Sequence, residues 1–248
     1  MLLQFAAQAR AYGAQVRQTL ENEGVPAALV VLNDILCERT PFRLLDLVGA
    51  ALDTADANAV DELLRAIGKQ RSEGGWVVIA SALRERLPRN LAGTLEASRG
   101  YIAQAAVWYG CDILGERVPG PALVAQFQAS LEILSGWRGD PDAWVRRALG
   151  VAGHFWAKRS RGLPGSEAQA QALLDFFSPM LEEKDYDAAK GVGWALKTCG
   201  RYYPEVCMAW LEEQLLRQGR RPAAIVKRKA LKFLPADFKR KIENGRGA

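Results

Sequence analysis

The chain has 248 residues, of which 49% are hydrophobic and 25% charged, and its net charge is +5 at pH 7. This composition is too apolar for a disordered chain and allows a substantial core, while no run approaches the roughly 18 apolar residues of a membrane-spanning helix. The first ten residues lack the charged and apolar segments of a secretory signal, so we expect a cytoplasmic protein with no membrane partner.

The cysteines and the single histidine limit the metal chemistry. Cys37, Cys111, Cys199 and Cys207 form no Cys-x-x-Cys pair, and His154 is the one histidine, which excludes a site with several histidine ligands. We expect four buried, reduced thiols and neither a metal nor another cofactor.

Helical periodicity runs through nearly the whole chain, and no segment alternates as a strand does. The predicted helices cover residues 2–22, 26–38, 41–53, 57–69, 74–87, 98–115, 121–136, 141–158, 167–182, 186–202, 204–218 and 221–234. Their short connections carry Gly or Pro, which favours consecutive antiparallel pairs recurring every 35 to 45 residues or so. This spacing predicts an all-α fold, a HEAT-like helical repeat solenoid with a concave face, formed by residues 1–248 as a single domain. We expect a monomer. An irregular helical bundle is the alternative.

The predicted helix 98–115 carries an aromatic residue beside a carboxylate. One stripe of this helix is predicted to face the core; it consists of Ile102, Ala106, Tyr109 and Ile113. A second stripe lies about a third of a turn away and ends in Trp108 and Asp112. The second stripe is Tyr101, Gln104, Trp108 and Asp112. The i, i+4 spacing of Trp108 and Asp112 places an anion within reach of a ligand stacked on the indole, whereas a boundary tryptophan with a solvated aspartate is the structural alternative.

The predicted helix 141–158 carries Arg147, His154 and Lys158 at steps of seven and four, a polar stripe suited to gripping phosphates. An ion pair is the structural alternative for Arg147, and an ordinary hydrogen bond for His154. Gly150 and Gly153 on the same helix permit close helix packing.

The segment 188–202 has two opposed stripes. Lys190, Trp194, Lys197 and Arg201 share one of them, while the apolar residues Val192, Leu196 and Cys199 lie about half a turn away and should face the core. A flat ring among three cations suits nucleic acid, and a lone surface tryptophan is the alternative.

Positive charge is concentrated at the C-terminal end. Residues 217–248 contain 11 Lys or Arg and 2 acidic residues, a net +9, which leaves 22 basic and 26 acidic residues, a net −4, for residues 1–216. Within residues 217–248, the segment 227–232 is predicted to be a basic helix that includes Arg228 and Lys232. Such a patch indicates phosphate contacts, although a solvated helix face has the same composition.

These motifs together resemble those of the HEAT-like DNA alkylation repair glycosylases, the AlkD family, over residues 74–234. The resemblance is carried in order by Trp108-x-x-x-Asp112, Trp144-x-x-Arg147, Lys190-Gly-Val-Gly-Trp194 and the basic helix at 227–232. It implies a hydrolase with a concave basic face that holds double-stranded DNA and removes purines alkylated at N3 or N7.

The resemblance also implies a role for each matching residue. Asp112 would be the catalytic carboxylate, Trp108 and Trp194 the aromatic walls of the lesion site, and Arg147 a contact to the DNA backbone. The other cations of the stripes extend that DNA-binding surface; they are Lys158, Lys190, Lys197, Arg201, Arg228 and Lys232.

The chemistry of removing an alkylated purine agrees with this set of residues. An N3- or N7-alkylated purine is already a cation, so its departure needs no general acid, and one carboxylate can suffice. Two other classes stay open: a non-catalytic HEAT-like protein that binds damaged or branched DNA, and a scaffold that binds an acidic protein. A carboxylate facing phosphates weakens DNA binding, so Asp112 favours catalysis over the first.

Overall fold

The computed structural model describes residues 3–244, within which all regular secondary structure is helical. The all-α prediction is therefore confirmed. Leu2, the first residue of the first predicted helix, and Arg246, one of the cations of the C-terminal segment, lie outside the described residues. Within residues 3–244, no helix is both long and apolar enough to cross a membrane.

The helices follow one another with short connections. They are α1 (Ala6–Glu23), α2 (Val25–Leu36), α3 (Phe42–Ala50), α4 (Ala57–Gln70), α5 (Glu73–Arg86), α6 (Leu91–Ala105), α7 (Trp108–Arg117), α8 (Pro119–Ala125), α9 (Phe127–Ser135), α10 (Ala143–Arg159), α11 (Ser166–Phe177), α12 (Tyr186–Tyr202), α13 (Pro204–Glu212), α14 (Ala224–Ala230) and α15 (Ala236–Asn244). Short 3₁₀ turns follow α3, α9 and α11, and a π turn, Glu213–Arg217, extends α13.

The chain forms two compact units, of which the first ends at Val118 and the second begins at Pro119. In the first unit α1, α3, α5 and α7 pack in succession as one layer, and α2, α4 and α6 pack as a second layer. This alternation, in which helices two apart are neighbours, is typical of helical repeat proteins. That residues 1–248 form a single domain stays a prediction.

The sequence of α4 shows how a helix of the first unit is specified. Asp56 caps its N-terminus by accepting a hydrogen bond from the backbone N–H of Ala59 at 3.0 Å. Val60, Leu63, Leu64 and Ile67 recur at helical spacing, and all four are buried. Each such leucine stabilises the fold by about 1.5–3 kcal/mol relative to an exposed position.

The second unit repeats the two-layer arrangement. Its first layer is α8, α10, α12 and α14, and its second layer is α9, α11 and α13. The crossing of α10 and α12 depends on glycines, because a Cβ built on Gly150 would lie 2.0 Å from the carbonyl carbon of Gly191. The predicted role of Gly150 in close packing is confirmed.

The structure corrects the predicted helix 98–115. Two helices stand in its place, because Ala106 adopts a left-handed conformation with φ 48° and Val107 is extended. Ala106 is exposed and not part of a core stripe. The guanidinium of Arg71 donates a hydrogen bond to the carbonyl of Ala105 at 3.0 Å, which satisfies a carbonyl that the end of α6 leaves without a helical partner.

Two smaller predictions were also wrong, and one helix was missed. The segment 121–136 is divided into α8 and α9, with Gln126 between them, and α15 was not predicted at all. Cys37 is exposed, whereas Cys111, Cys199 and Cys207 are buried, and all four are free thiols.

Candidate nucleic-acid interface

The Trp108–Asp112 pair lies on α7 of the first unit. Trp108 is the first residue of that helix and is 58% exposed, although it is one of the largest side chains of the protein. The ring of Tyr109 meets it edge to face at a centroid distance of 5.7 Å. Asp112 lies one turn further along the helix and is half-buried. The i, i+4 spacing survives the helix break because both residues lie on the C-terminal side of Val107.

The stripe on α12 has the burial that its sequence predicts. Val192, Leu196 and Cys199 are fully buried. Lys190, Trp194 and Lys197 are half-buried and Arg201 is exposed. Asp185 caps the start of the helix by accepting hydrogen bonds from the backbone N–H groups of Asp187 and Ala188. The basic stripe is thus held on a helix whose opposite face is locked into the core.

Trp194 is not a lone surface tryptophan. The imidazole of His154, on α10, stacks on its indole with the ring centroids 4.2 Å apart and the planes inclined by 23°. His154 Nδ1 lies 2.7 Å from the hydroxyl oxygen of Thr198, and that hydroxyl donates to the carbonyl of Trp194 at 2.9 Å. Because the hydroxyl has one hydrogen, Nδ1 carries the proton of the imidazole and donates to Thr198.

The environment of His154 keeps its imidazole neutral. Burial lowers its pKa to about 4, and the positive charges of Lys158 and Lys197 act in the same direction. A neutral ring therefore covers one face of Trp194 at physiological pH, and a ligand ring can stack only on the other face. The ordinary hydrogen bond expected for His154 is present, but the stacking on Trp194 is an additional role that the sequence did not reveal.

Arg147 is placed differently from the other predicted cations. Its side chain is only 4% exposed, and its Nη1 lies 3.6 Å from a carboxylate oxygen of Asp187 and 3.4 Å from the carbonyl oxygen of the same residue. This ion pair joins α10 to the start of α12. A direct contact between Arg147 and a DNA phosphate stays a prediction, and it requires the guanidinium to share its donors with Asp187.

The remaining predicted cations lie on or next to the first layer of the second unit. Lys158, in the last turn of α10, is exposed. Arg228, on α14, and Lys232, just after that helix, are exposed too. The second unit therefore brings the predicted cations and Trp194 onto three neighbouring helices and the turn after α14, whereas Trp108 and Asp112 belong to the first unit.

Lys229, on α14, belongs to the predicted basic helix but was not among the predicted DNA-binding residues. Its stem crosses α12 at Gly193, where an added Cβ would lie 2.7 Å from Lys229 Cδ. Burial lowers the pKa of Lys229, and nearby Lys197, Lys190 and Arg147 lower it further. A lysine placed among like charges attracts an anion. The glycine at 193, between Lys190 and Lys197 on α12, was the available signal.

No group of three or more His, Cys, Asp or Glu side chains within residues 3–244 is arranged to hold a metal ion. What the two units offer a ligand is an exposed indole beside a carboxylate in the first, and a second indole among cations in the second. The latter suits a polyanion with planar groups.

Comparison with known protein families gives one result. The family described as DNA alkylation repair enzyme matches residues 49–234. No curated protein and no solved structure matches the chain.

Proposed function

Since the chain belongs to the DNA alkylation repair enzyme family, we propose that it is a DNA glycosylase that excises N3- or N7-alkylated purines from duplex DNA. The observation that carries this proposal is the Trp108–Asp112 pair, an exposed indole with a carboxylate one helical turn away. The exposed indole leaves a face open to a ligand ring, and the carboxylate one turn away supplies the negative charge that a developing sugar cation needs.

Asp112 is the catalytic carboxylate of this proposal. When the C1′–N bond breaks, its electron pair moves to the purine and neutralises the positive charge of the alkylated ring, so no acid has to protonate the leaving base. Positive charge develops on the sugar instead, and Asp112 stabilises it. Water then adds to C1′, and its proton passes to the carboxylate or to solvent. The reaction requires neither a metal nor a redox cofactor.

Each of the two tryptophans can recognise a cationic purine by charge as well as by shape. An indole face attracts a cation by about 0.5–2 kcal/mol, depending on how far the site excludes water, and a normal purine lacks the positive charge. Trp108 is exposed and free to receive such a ring, and His154 leaves Trp194 one face for the same purpose. The cations of α10, α12 and the segment around α14 contact the phosphates, Lys158, Lys190 and Lys197 among them.

The experiment that tests the proposal is release of free alkylpurine from methylated duplex DNA, with duplex binding measured in parallel. We expect release by the wild type and a loss of at least about a hundredfold in Asp112→Asn, which keeps the shape of the side chain and removes its charge. DNA binding by the variant should be equal or tighter, since a negative charge near phosphates has been removed.

Asp34→Asn is the matched control, because it removes an exposed carboxylate from α2, in the other layer of the same unit. It should release base like the wild type. Binding of DNA without release by any of the proteins would instead indicate a non-catalytic DNA-binding protein. Absence of duplex binding even at low salt would favour a scaffold for an acidic protein.

A further inference from the structure

Five side chains of the second unit alternate between cation and aromatic ring. The guanidinium carbon of Arg201 lies 5.5 Å from the ring centroid of Tyr202 and 5.3 Å from that of Phe233. Arg161 extends the series over Tyr202 at 5.1 Å, and Lys232 extends it over Phe233 at 5.8 Å. We call these residues the cation–aromatic ladder. It is on the surface, where Phe233 is 43% exposed.

The ladder adjoins a cluster of positive charge. The pKa of Lys197 is lowered by its burial and then by the charges of Lys232 and Arg201, which places the three cations within electrostatic reach of one another. None of the three forms an ion pair with a carboxylate of the described residues. Like charges held together without a counter-charge cost free energy, and a bound anion removes that cost.

We propose that Arg201, Lys232 and Lys197 form a preassembled site for a phosphate of the DNA backbone, and that Phe233 is a positioning residue that holds Arg201 for it. The proposal rests on the proposed function, because the phosphate is that of the duplex substrate. Arg201 lies two turns after Trp194 on α12, about 10 Å along the helix, so the phosphate that it binds lies near that indole.

The geometry explains why the rings matter. A guanidinium stacked on aromatic faces keeps all its N–H donors at its edge, where two of them can bind a phosphate side by side. A long arginine side chain otherwise loses about 2 kcal/mol of rotamer freedom when it binds. The rings of Phe233 and Tyr202 restrict Arg201 before DNA arrives, so less of that freedom is lost on binding.

A double-mutant cycle on undamaged duplex DNA tests the proposal. Phe233→Leu retains an apolar side chain and the charge of the protein but removes the aromatic face. We expect it to weaken duplex binding about two- to fivefold, from the strength of an exposed cation–π contact. Arg201→Gln should weaken binding more and reduce the slope of log K against log salt by about 0.9. In the Arg201→Gln background, Phe233→Leu should have a clearly smaller effect, because only the contact of the ring with Lys232 remains.

The controls separate positioning from folding and from direct contact. Arg65→Gln is the matched charge control, because Arg65 is an exposed arginine on α4, in the second layer of the first unit. It should leave binding nearly unchanged, and the thermal midpoint of Phe233→Leu should match that of the wild type. If Phe233→Leu weakens binding equally in both backgrounds, the ring contacts DNA itself and the positioning role is overturned.

The source of the phosphate is tested separately. Inorganic phosphate titrated at constant ionic strength should displace the duplex no better than chloride does. A saturable response to inorganic phosphate that Arg201→Gln abolishes, with duplex affinity unchanged, would assign the site to a free phosphate ligand and overturn the proposal. A wild type that does not bind duplex DNA would instead overturn the proposed function, which is a distinguishable result.

Discussion

At the scale of single residues, His154 links the stability of the protein to pH. The unfolded imidazole titrates near pH 6.5, and burial with Lys158 and Lys197 lowers the pKa of the folded one to about 4. Between these values the unfolded chain binds more protons, so the stabilising contribution is complete above pH 6.5 and is lost as the pH falls towards 4. Because the imidazole is partly exposed, we expect this contribution to be about 1–2 kcal/mol.

His154→Asn isolates that contribution, because asparagine can still donate to Thr198 but does not titrate. Chemical denaturation at several pH values should show a smaller loss of stability between pH 6.5 and 4 in the variant than in the wild type. Since His154 is the one histidine, parallel curves for the two proteins would mean that carboxylates alone account for the acid sensitivity.

Trp108 should affect activity far more than stability. Its side chain is 58% exposed at the start of α7, so Trp108→Ala removes little packed surface and should shift the thermal midpoint only slightly. The loss of an indole face for a cationic base should reduce excision about 5- to 30-fold, while Trp108→Phe should recover part of the lost activity.

Phe5→Ala, which also removes an exposed ring from the first unit, is the control and should excise normally. Equal excision by Trp108→Ala and the wild type would exclude this ring from the lesion site.

At the scale of the helices, the crossing of α10 and α12 fixes where Trp194 and His154 meet. A Cβ on Gly150 would lie 2.0 Å from the backbone of Gly191, and backbone atoms cannot move aside as the end of a side chain can. Gly150→Ala should therefore destabilise the protein by at least about 1–3 kcal/mol and disturb the His154–Trp194 stack.

At a second glycine, substitution by alanine should stabilise the protein. Gly100, within α6, has open space around the position of an added Cβ, so Gly100→Ala should stabilise the protein by about 0.5–1 kcal/mol. Denaturant titration of Gly150→Ala and Gly100→Ala measures both changes in the free energy of unfolding. A stable Gly150→Ala would show that the two helices can separate without loss, which contradicts the close crossing.

The same helices show what periodicity predicts and where it fails. The stripe on α12 was predictable because Val192, Leu196 and Cys199 repeat at helical spacing and a single long helix carries them all. The end of α6 was not predictable, because the left-handed residue there is Ala106 and not the usual Gly or Asn. Its conformation accompanies a hydrogen bond from Arg71 to the carbonyl of Ala105, and these two residues are 34 positions apart in the chain. A contact so distant in sequence leaves no local signal.

Other features escaped prediction for related reasons. The helix α15 has two buried side chains, Phe238 and Ile242, which is too little apolar surface to produce a convincing periodic pattern. The stacking of His154 on Trp194 joins two helices, and the composition of either helix alone does not indicate it. The residue types of the candidate site were thus predictable, but the contacts that position them depend on packing between helices.

At the scale of the whole molecule, charge is distributed by layer as well as by position in the chain. The predicted DNA-binding residues lie on α10, α12 and α14, which belong to one layer of the second unit, or in the turn just after α14. Helices of the other layer carry carboxylates among their exposed or half-buried side chains, including Asp175, Glu205 and Glu212. A net charge of +5 therefore understates the field that a polyanion would meet at the basic layer.

This arrangement predicts a steep salt dependence of DNA binding. Six predicted cations are at least partly exposed: Lys158, Lys190, Lys197, Arg201, Arg228 and Lys232. If each neutralises one phosphate of duplex DNA, log K should fall against log salt with a slope of about −5, which is roughly a thousandfold loss of affinity between 50 and 200 mM salt. Fluorescence anisotropy of a labelled duplex over that range measures the slope.

Two double variants with the same loss of charge test where the DNA binds. Replacing Lys190 and Lys197 with Gln should reduce the magnitude of the slope by about 2. Arg10→Gln together with Lys69→Gln, on helices of the first unit, should leave the slope nearly unchanged. Equal reductions by the two pairs would mean that the DNA responds to net charge and that the basic layer is not its binding surface.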